Sequence, residues 1–149
     1  MMLPLKTKQF EGPDFICIGM QKSGTGWFYD ALKSIDKFCM LPIKELHHFD
    51  YNYAQDVEKK FHIKRLQRVF RNNKNMLPSD LVEIFSTLLN TYITSGLSNK
   101  DYNRLFSIKG NRLSGDITPS YSTLSKENVN KIYADYSQIK ILVCVRHPV

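Results

Sequence analysis

The chain has 149 residues, 42% of them hydrophobic, and its 21 lysines and arginines outnumber 14 acidic residues for a formal charge of +7. That is the size of a single domain, residues 1–149, able to bury roughly two thirds of its unfolded surface, and the charge favours anionic partners without choosing among nucleotides, acidic substrates and nucleic acid. Nowhere do about 18 apolar residues follow one another, and Met1 to Phe10 hold no apolar run of signal-peptide length, so a soluble, cytoplasmic protein without a membrane span is expected.

Phe15-Ile16-Cys17-Ile18-Gly19 is a β-branched apolar run ended by glycine, the pattern of a strand buried on both faces of a parallel sheet. Beyond a glycine-containing turn, Trp27, Phe28, Ala31, Leu32 and Ile35 recur at helical spacing, which predicts a helix from about Thr25 to Ser34. Phe38 to Leu41 reads as a second, weaker strand before Pro42, with Lys44 to Asp50 in the loop leaving it. Val57, Phe61, Leu66, Val69 and Phe70 mark a helix between Gln55 and Arg71, among many cations. Ser79 or Asp80 caps a further helix with the stripe Leu81, Phe85, Leu88, Leu89 and Tyr92, and Gly96 stops it.

Ser98 to Asn111 reads as a loop or broken helix. Ser125 then caps a helix whose Val129, Ile132, Tyr133 and Tyr136 share a face, and Ile139 to Val145 is expected to be another buried strand. Strands alternating with helices imply an α/β fold with a parallel sheet. Of the three cysteines, Cys17, Cys39 and Cys144, two sit in apolar runs and none has metal-ligand spacing, so a reducing compartment and no metal are expected.

Gly19-Met20-Gln21-Lys22-Ser23-Gly24-Thr25-Gly26 lies between a buried strand and a helix start, where backbone N–H groups and the helix dipole favour an anion. Lys22 adds a mobile cation, and Ser23 and Thr25 add hydroxyls. The ATP/GTP loop pattern fails here, because Lys22 precedes Gly24 instead of following the second glycine. The segment Gly19 through Trp27 instead resembles the 5′-phosphosulfate loop of the sulfotransferases, G-x-x-K-[SAG]-G-T-[TSG]. A glycine turn with no ligand is the plainer alternative.

Lys44-Glu45-Leu46-His47-His48-Phe49-Asp50 packs five ionisable side chains into seven positions. It is similar to the K-E-x-H-[FW]-F-[DN] element of carbohydrate-type and bacterial sulfotransferases, with Glu45, His47, Phe49 and Asp50 in register and His48 replacing the usual aromatic. Which histidine faces the cleft stays open. Gly115-Asp116-Ile117-Thr118-Pro119-Ser120-Tyr121 resembles the family's G-[ED]-x-[TS]-P-x-Y element, although Thr118-Pro119-Ser120 on its own reads as a turn before the final helix. Lys140 to Val149 resembles the strand and R-[DNH]-P start of the family's 3′-phosphate site, with Arg146 in the ligand position.

The resemblance implies a P-loop NTPase-like sheet flanked by helices, truncated at its C-terminus to the donor-binding part, and transfer of a sulfuryl group from 3′-phosphoadenosine 5′-phosphosulfate (PAPS) to a hydroxyl or amine, with carbohydrate favoured. It makes Lys22, Glu45 and His47 catalytic. Gln21, Lys22, Ser23, Gly24, Thr25, Gly26, Trp27 and Arg146 would bind PAPS, and Lys44, His48 and Asp50 the acceptor. Two other readings remain. One is a divergent nucleotide kinase or NTPase, with Asp116 as the acid for Mg²⁺. The other is an anion- or RNA-binding module built on Lys59, Lys60, Lys64, Arg65, Arg68, Arg71 and Lys74, although no nucleic-acid motif accompanies that stretch.

Overall fold

The apolar run at Phe15–Cys17 forms strand β1, buried along its length, in a computed structural model that describes residues 12–50, 56–76, 79–95 and 98–147. Two further parallel strands flank it, β2 (Gly115–Ile117) and β3 (Lys140–Leu142), in the order β2-β1-β3. Cys17 stands opposite Ile117 on one side and Leu142 on the other. Helices α1 (Thr25–Lys33), α2 (Asp56–Asn73), α3 (Ser79–Ser95), α4 (Asn99–Leu105) and α5 (Lys126–Asp135) surround this sheet, so the chain is α/β.

Asp14 fixes the lower end of the sheet. Its N–H donates to the Ser114 carbonyl at 2.8 Å and its own carbonyl accepts from the Lys140 N–H at 3.0 Å. Its carboxylate takes the Ser114 N–H at 2.8 Å and the buried Lys109 ammonium at 2.9 Å. A buried lysine needs such a partner, since burying an unpaired charge is costly. Above this clamp Phe15, Cys17 and Ile117 pack on Leu32 of α1. A second core joins Leu41, Ile43 and Leu46 of the connecting loop to Leu66 of α2, Phe85 of α3 and Tyr102 of α4.

Helix positions follow the sequence closely. Ser98 caps α4 by accepting from the Asp101 N–H at 3.1 Å, and Ser125 caps α5 by accepting from the Asn128 N–H at 3.3 Å. Residues 98–111 form a broken helix, α4 running into a 3₁₀ turn at Phe106–Lys109. In the expected stripe of α3, Phe85 is buried and Leu89 packs beside it. The side chains of Val57, Lys59, Asp80, Leu81, Leu88 and Tyr92, together with residues 1–11, Gly96, Pro148 and Val149, lie outside the described ones. Among the described residues no helix is long and apolar enough to cross a membrane.

The strands differ more. Phe38 to Leu41 makes only one bridge, Phe38 to Leu113, because Pro42 soon removes a donor and turns the chain. Gly115–Ile117, for which periodicity gives no strand, is the buried strand β2, and the turn expected at Thr118-Pro119-Ser120 falls where a 3₁₀ segment, Pro119–Thr123, follows it. Ile139 to Val145 was expected to be buried, yet β3 covers only Lys140–Leu142 at the sheet edge, where Ile141 is 51% and Val145 77% exposed. Trp27, Phe61, Val129 and Tyr133 likewise point outward, so periodicity overstated those helices' apolar faces.

Gly19, just after β1, touches the chain just after β3. A Cβ there would lie 2.8 Å from both Cβ and N of Cys144, closer than packed atoms can stand. Gly19→Ala should therefore cost about 2–3 kcal/mol through forced separation of the two segments. Urea unfolding of the variant checks this, and an unchanged midpoint would contradict the close approach.

Candidate functional site

Three loops leave the sheet at one edge, the carboxyl ends of its parallel strands. Because β1 lies between β2 and β3, the connection after β1 leads to one side and that after β2 returns to the other, and ligands bind in the crevice at such a switch point. The loop after β1 carries Gly24 at φ 94°, a left-handed conformation that glycine adopts without penalty. No side chain caps α1 and the first turn of this nine-residue helix holds no acid, so its first N–H groups make a positive end that favours an anion. Lys22 stands at the rim with φ 61°, and Trp27 is 77% exposed beside it. Ser23 turns back on its own loop, its hydroxyl donating to the Met20 carbonyl at 2.5 Å.

The loop Lys44–Asp50 faces these groups. Glu45 and His47 both have positive φ, 60° and 56°. Arg65 of α2 holds this bend: its guanidinium donates to the carbonyls of Lys44 at 3.1 Å and Glu45 at 2.7 Å, and lies 3.2 Å from Glu45 Oε2. Lys44 Nζ sits 3.2 Å from Glu45 Oε1 and 3.4 Å from Thr25 Oγ1. Both carboxylate oxygens of Glu45 are thus met by cations, one from each side.

His47 is the cleft histidine. Its Nδ1 is 2.9 Å from Asp50 Oδ2 and its Nε2 3.9 Å from Glu45 Oε2, so the ring spans two carboxylates. Ser120 donates to the same Asp50 oxygen at 2.5 Å and stands 3.2 Å from His47 Nδ1. This is not a nucleophile triad, because serine and aspartate meet the same ring nitrogen, and the far nitrogen points to Glu45. His48 turns away: its ring stacks on Tyr102 at 4.0 Å and its Nε2 lies 3.0 Å from Asn99 Oδ1.

Beneath the loop lies Asp116, 2% exposed. It accepts from Thr118 Oγ1 at 2.7 Å, Tyr121 OH at 2.8 Å, Tyr102 OH at 3.1 Å and the Leu46 N–H at 3.4 Å. The Tyr121 oxygen in turn accepts from the His48 N–H at 2.9 Å and the Phe49 N–H at 3.4 Å. Burial raises the Asp116 pKa above its ordinary value, and its hydrogen bonds act the other way.

These parts enclose a cleft of about 500 Å³. Gln21, Lys22, Gly24, Thr25, Gly26 and Trp27 line one wall, with Lys44, Glu45 and His47 opposite and Pro119, Ser120 and Arg146 closing it. Of the residues singled out from sequence, Ser23, His48 and Asp50 are not in this lining; Asp50 stands behind His47. Arg65, Ser120 and Tyr121 were missed as site residues. Arg65 was hidden in a basic stretch whose Lys60, Lys64, Arg68, Arg71 and Lys74 are all exposed on α2 and the turn after it.

Burial holds His48 near pKa 4 against an ordinary 6.5, so the unfolded chain binds its proton more readily than the folded one. Stability from this residue is fully present above pH 6.5 and is lost as pH falls toward 4, by about 3 kcal/mol at most. His48→Phe should flatten that slope in urea midpoints measured from pH 7 to 4; an unchanged slope would show that His48 is not the group responsible. No family model matches this chain, and neither does any curated protein or solved structure.

Proposed function

We propose that this chain carries the donor-binding and catalytic elements of a sulfotransferase, built on a P-loop NTPase-like scaffold, that moves the sulfuryl group of PAPS to an acceptor hydroxyl or amine. One observation carries the reading. Lys22, Glu45 and His47 meet in one cleft with Arg146, and they are also the non-glycine residues with positive φ among the described ones. Left-handed backbone at such residues costs on the order of 1–3 kcal/mol each and gathers at functional sites.

The cleft fits a polyanionic nucleotide: an uncapped helix start, Lys22, Lys44 and Arg146 supply positive potential around about 500 Å³. Lys22 and the α1 N-terminus would hold the phosphosulfate, and Arg146 the 3′-phosphate through its forked donors. Glu45 takes the acceptor proton while the acceptor oxygen or nitrogen bonds to sulfur and the bond from sulfur to the bridging oxygen breaks, releasing adenosine 3′,5′-bisphosphate. His47, set by Asp50 and Ser120, orients Glu45 or the acceptor. The likeness of the Glu45 segment to carbohydrate-type enzymes favours a sugar acceptor. All three cysteines are free thiols, which suits a cytoplasmic setting.

The kinase alternative needs an acid for Mg²⁺ at the cleft, yet Asp116 is sealed below it by four hydrogen-bond donors. The exposed cations of α2 favour a second reading, a polyanion-binding surface, whose mark is steeply salt-dependent RNA binding without nucleotide affinity.

Thermal unfolding decides among these. Adenosine 3′,5′-bisphosphate should raise the midpoint while ADP with Mg²⁺ at equal concentration does not; the reverse result would overturn the sulfotransferase reading. In the active enzyme Lys22→Ala should lower the transfer rate about a hundredfold, because charge stabilisation carries most of such chemistry. Undiminished transfer would remove Lys22 from the mechanism.

A further inference from the structure

Lys44 was assigned to the acceptor by resemblance, but its position links it to the other substrate. Its Nζ lies 3.4 Å from the hydroxyl of Thr25, the first residue of α1, and a Cβ on Gly26 would stand 3.9 Å from it. The ammonium therefore hangs over the uncapped start of α1, where an anion is favoured. The same ammonium is 3.2 Å from Glu45 Oε1. Arg65 engages the other oxygen, Oε2, also at 3.2 Å.

We propose that Lys44 is a donor ligand whose ammonium is shared between the donor's anionic group and Glu45, so that donor binding draws it from Glu45 and opens Oε1 to the acceptor. The proposal rests on the sulfotransferase reading. An ammonium is a compact charge with three donors on a flexible stem, and the Lys44 side chain is 22% exposed, so it can turn between the two partners without backbone movement. The donor's phosphosulfate, with one negative charge on its phosphoryl and one on its sulfo group, is a stronger rival for it at the helix start than a single carboxylate already paired with Arg65. Glu45 then stays oriented by Arg65 through Oε2, and its second oxygen becomes accessible only when the donor is in place.

This competition predicts non-additive binding, measured by isothermal titration of the full chain with adenosine 3′,5′-bisphosphate. Lys44→Gln should weaken binding ~10-fold and Lys44→Arg should restore most of it. Glu45→Gln, which releases Lys44, should tighten binding ~3-fold or more, and that gain should largely vanish in the Lys44→Gln/Glu45→Gln double variant. If Glu45→Gln gives the same gain with and without Lys44, or Lys44→Gln binds as tightly as the wild type, the proposal is overturned and the donor site stands. If the wild-type chain does not bind the bisphosphate at all, the underlying reading fails and the proposal falls with it.

Discussion

Asp116 is a carboxyl group in a strand, sealed from water, with four donors around it that belong to Leu46, Tyr102, Thr118 and Tyr121. Removing such a group from solvent is tolerable only when its hydrogen bonds are made, and here making them recruits the loop Lys44–Asp50, α4 and the turn after β2. Through the Tyr121 oxygen the same carboxyl also holds the His48 and Phe49 amides. The loop that presents Glu45 and His47 is therefore fastened from below by one buried group, and from the side by Arg65.

That fastening sets what the loop can tolerate. Two left-handed residues cost on the order of 1–3 kcal/mol each, while hydrogen bonds to charged groups contribute about 1.5–3 kcal/mol each. Arg65 makes two such bonds to the bent backbone, and Asp116 makes one to Leu46. The two Arg65 bonds alone, about 3–6 kcal/mol together, match the roughly 2–6 kcal/mol cost of the two residues, and the longer Asp116 contact adds to them, so a cation and a buried acid hold the strained bend. The reward of the bend is placement: it turns His47 into the cleft and sends its neighbour His48 into the aromatic cluster of Tyr102 and Phe49.

The sequence exposes those parts of the site whose partners are near in the chain. Gly19 to Trp27 is legible because strand, glycine turn and helix follow one another, and Glu45, His47 and Asp50 because their spacing is local. Leu46 and Asp116 are 70 residues apart, and no periodicity links them. Asp116 is visible as the acid of the G-[ED]-x-[TS]-P-x-Y element, but nothing in that pattern says that it is buried or that it binds Leu46 and Tyr102. Arg65 looked like its solvated neighbours because helical spacing alone does not say which cation faces a loop 20 residues away. The overestimate at β3 has a different origin: alternation of Ile141, Val143 and Val145 marks an apolar face, and sequence cannot tell whether that face is covered.

The contact between Gly19 and Cys144 carries the last step. The loop after β1 holds the helix start, and the segment after β3 holds Arg146; the two touch where neither can carry added bulk at Gly19. Their separation is thus set by the pairing of β1 with β3, in which Cys17 stands opposite Leu142, and not by flexible side chains alone. The backbones that carry the α1 start and Arg146 are therefore held beside each other by the sheet, although Arg146 itself is exposed past the end of β3. The exposed cations of α2 have no comparable frame. They lie on one helix, their side chains are long and solvated, and what they supply is field, whereas the cleft supplies position.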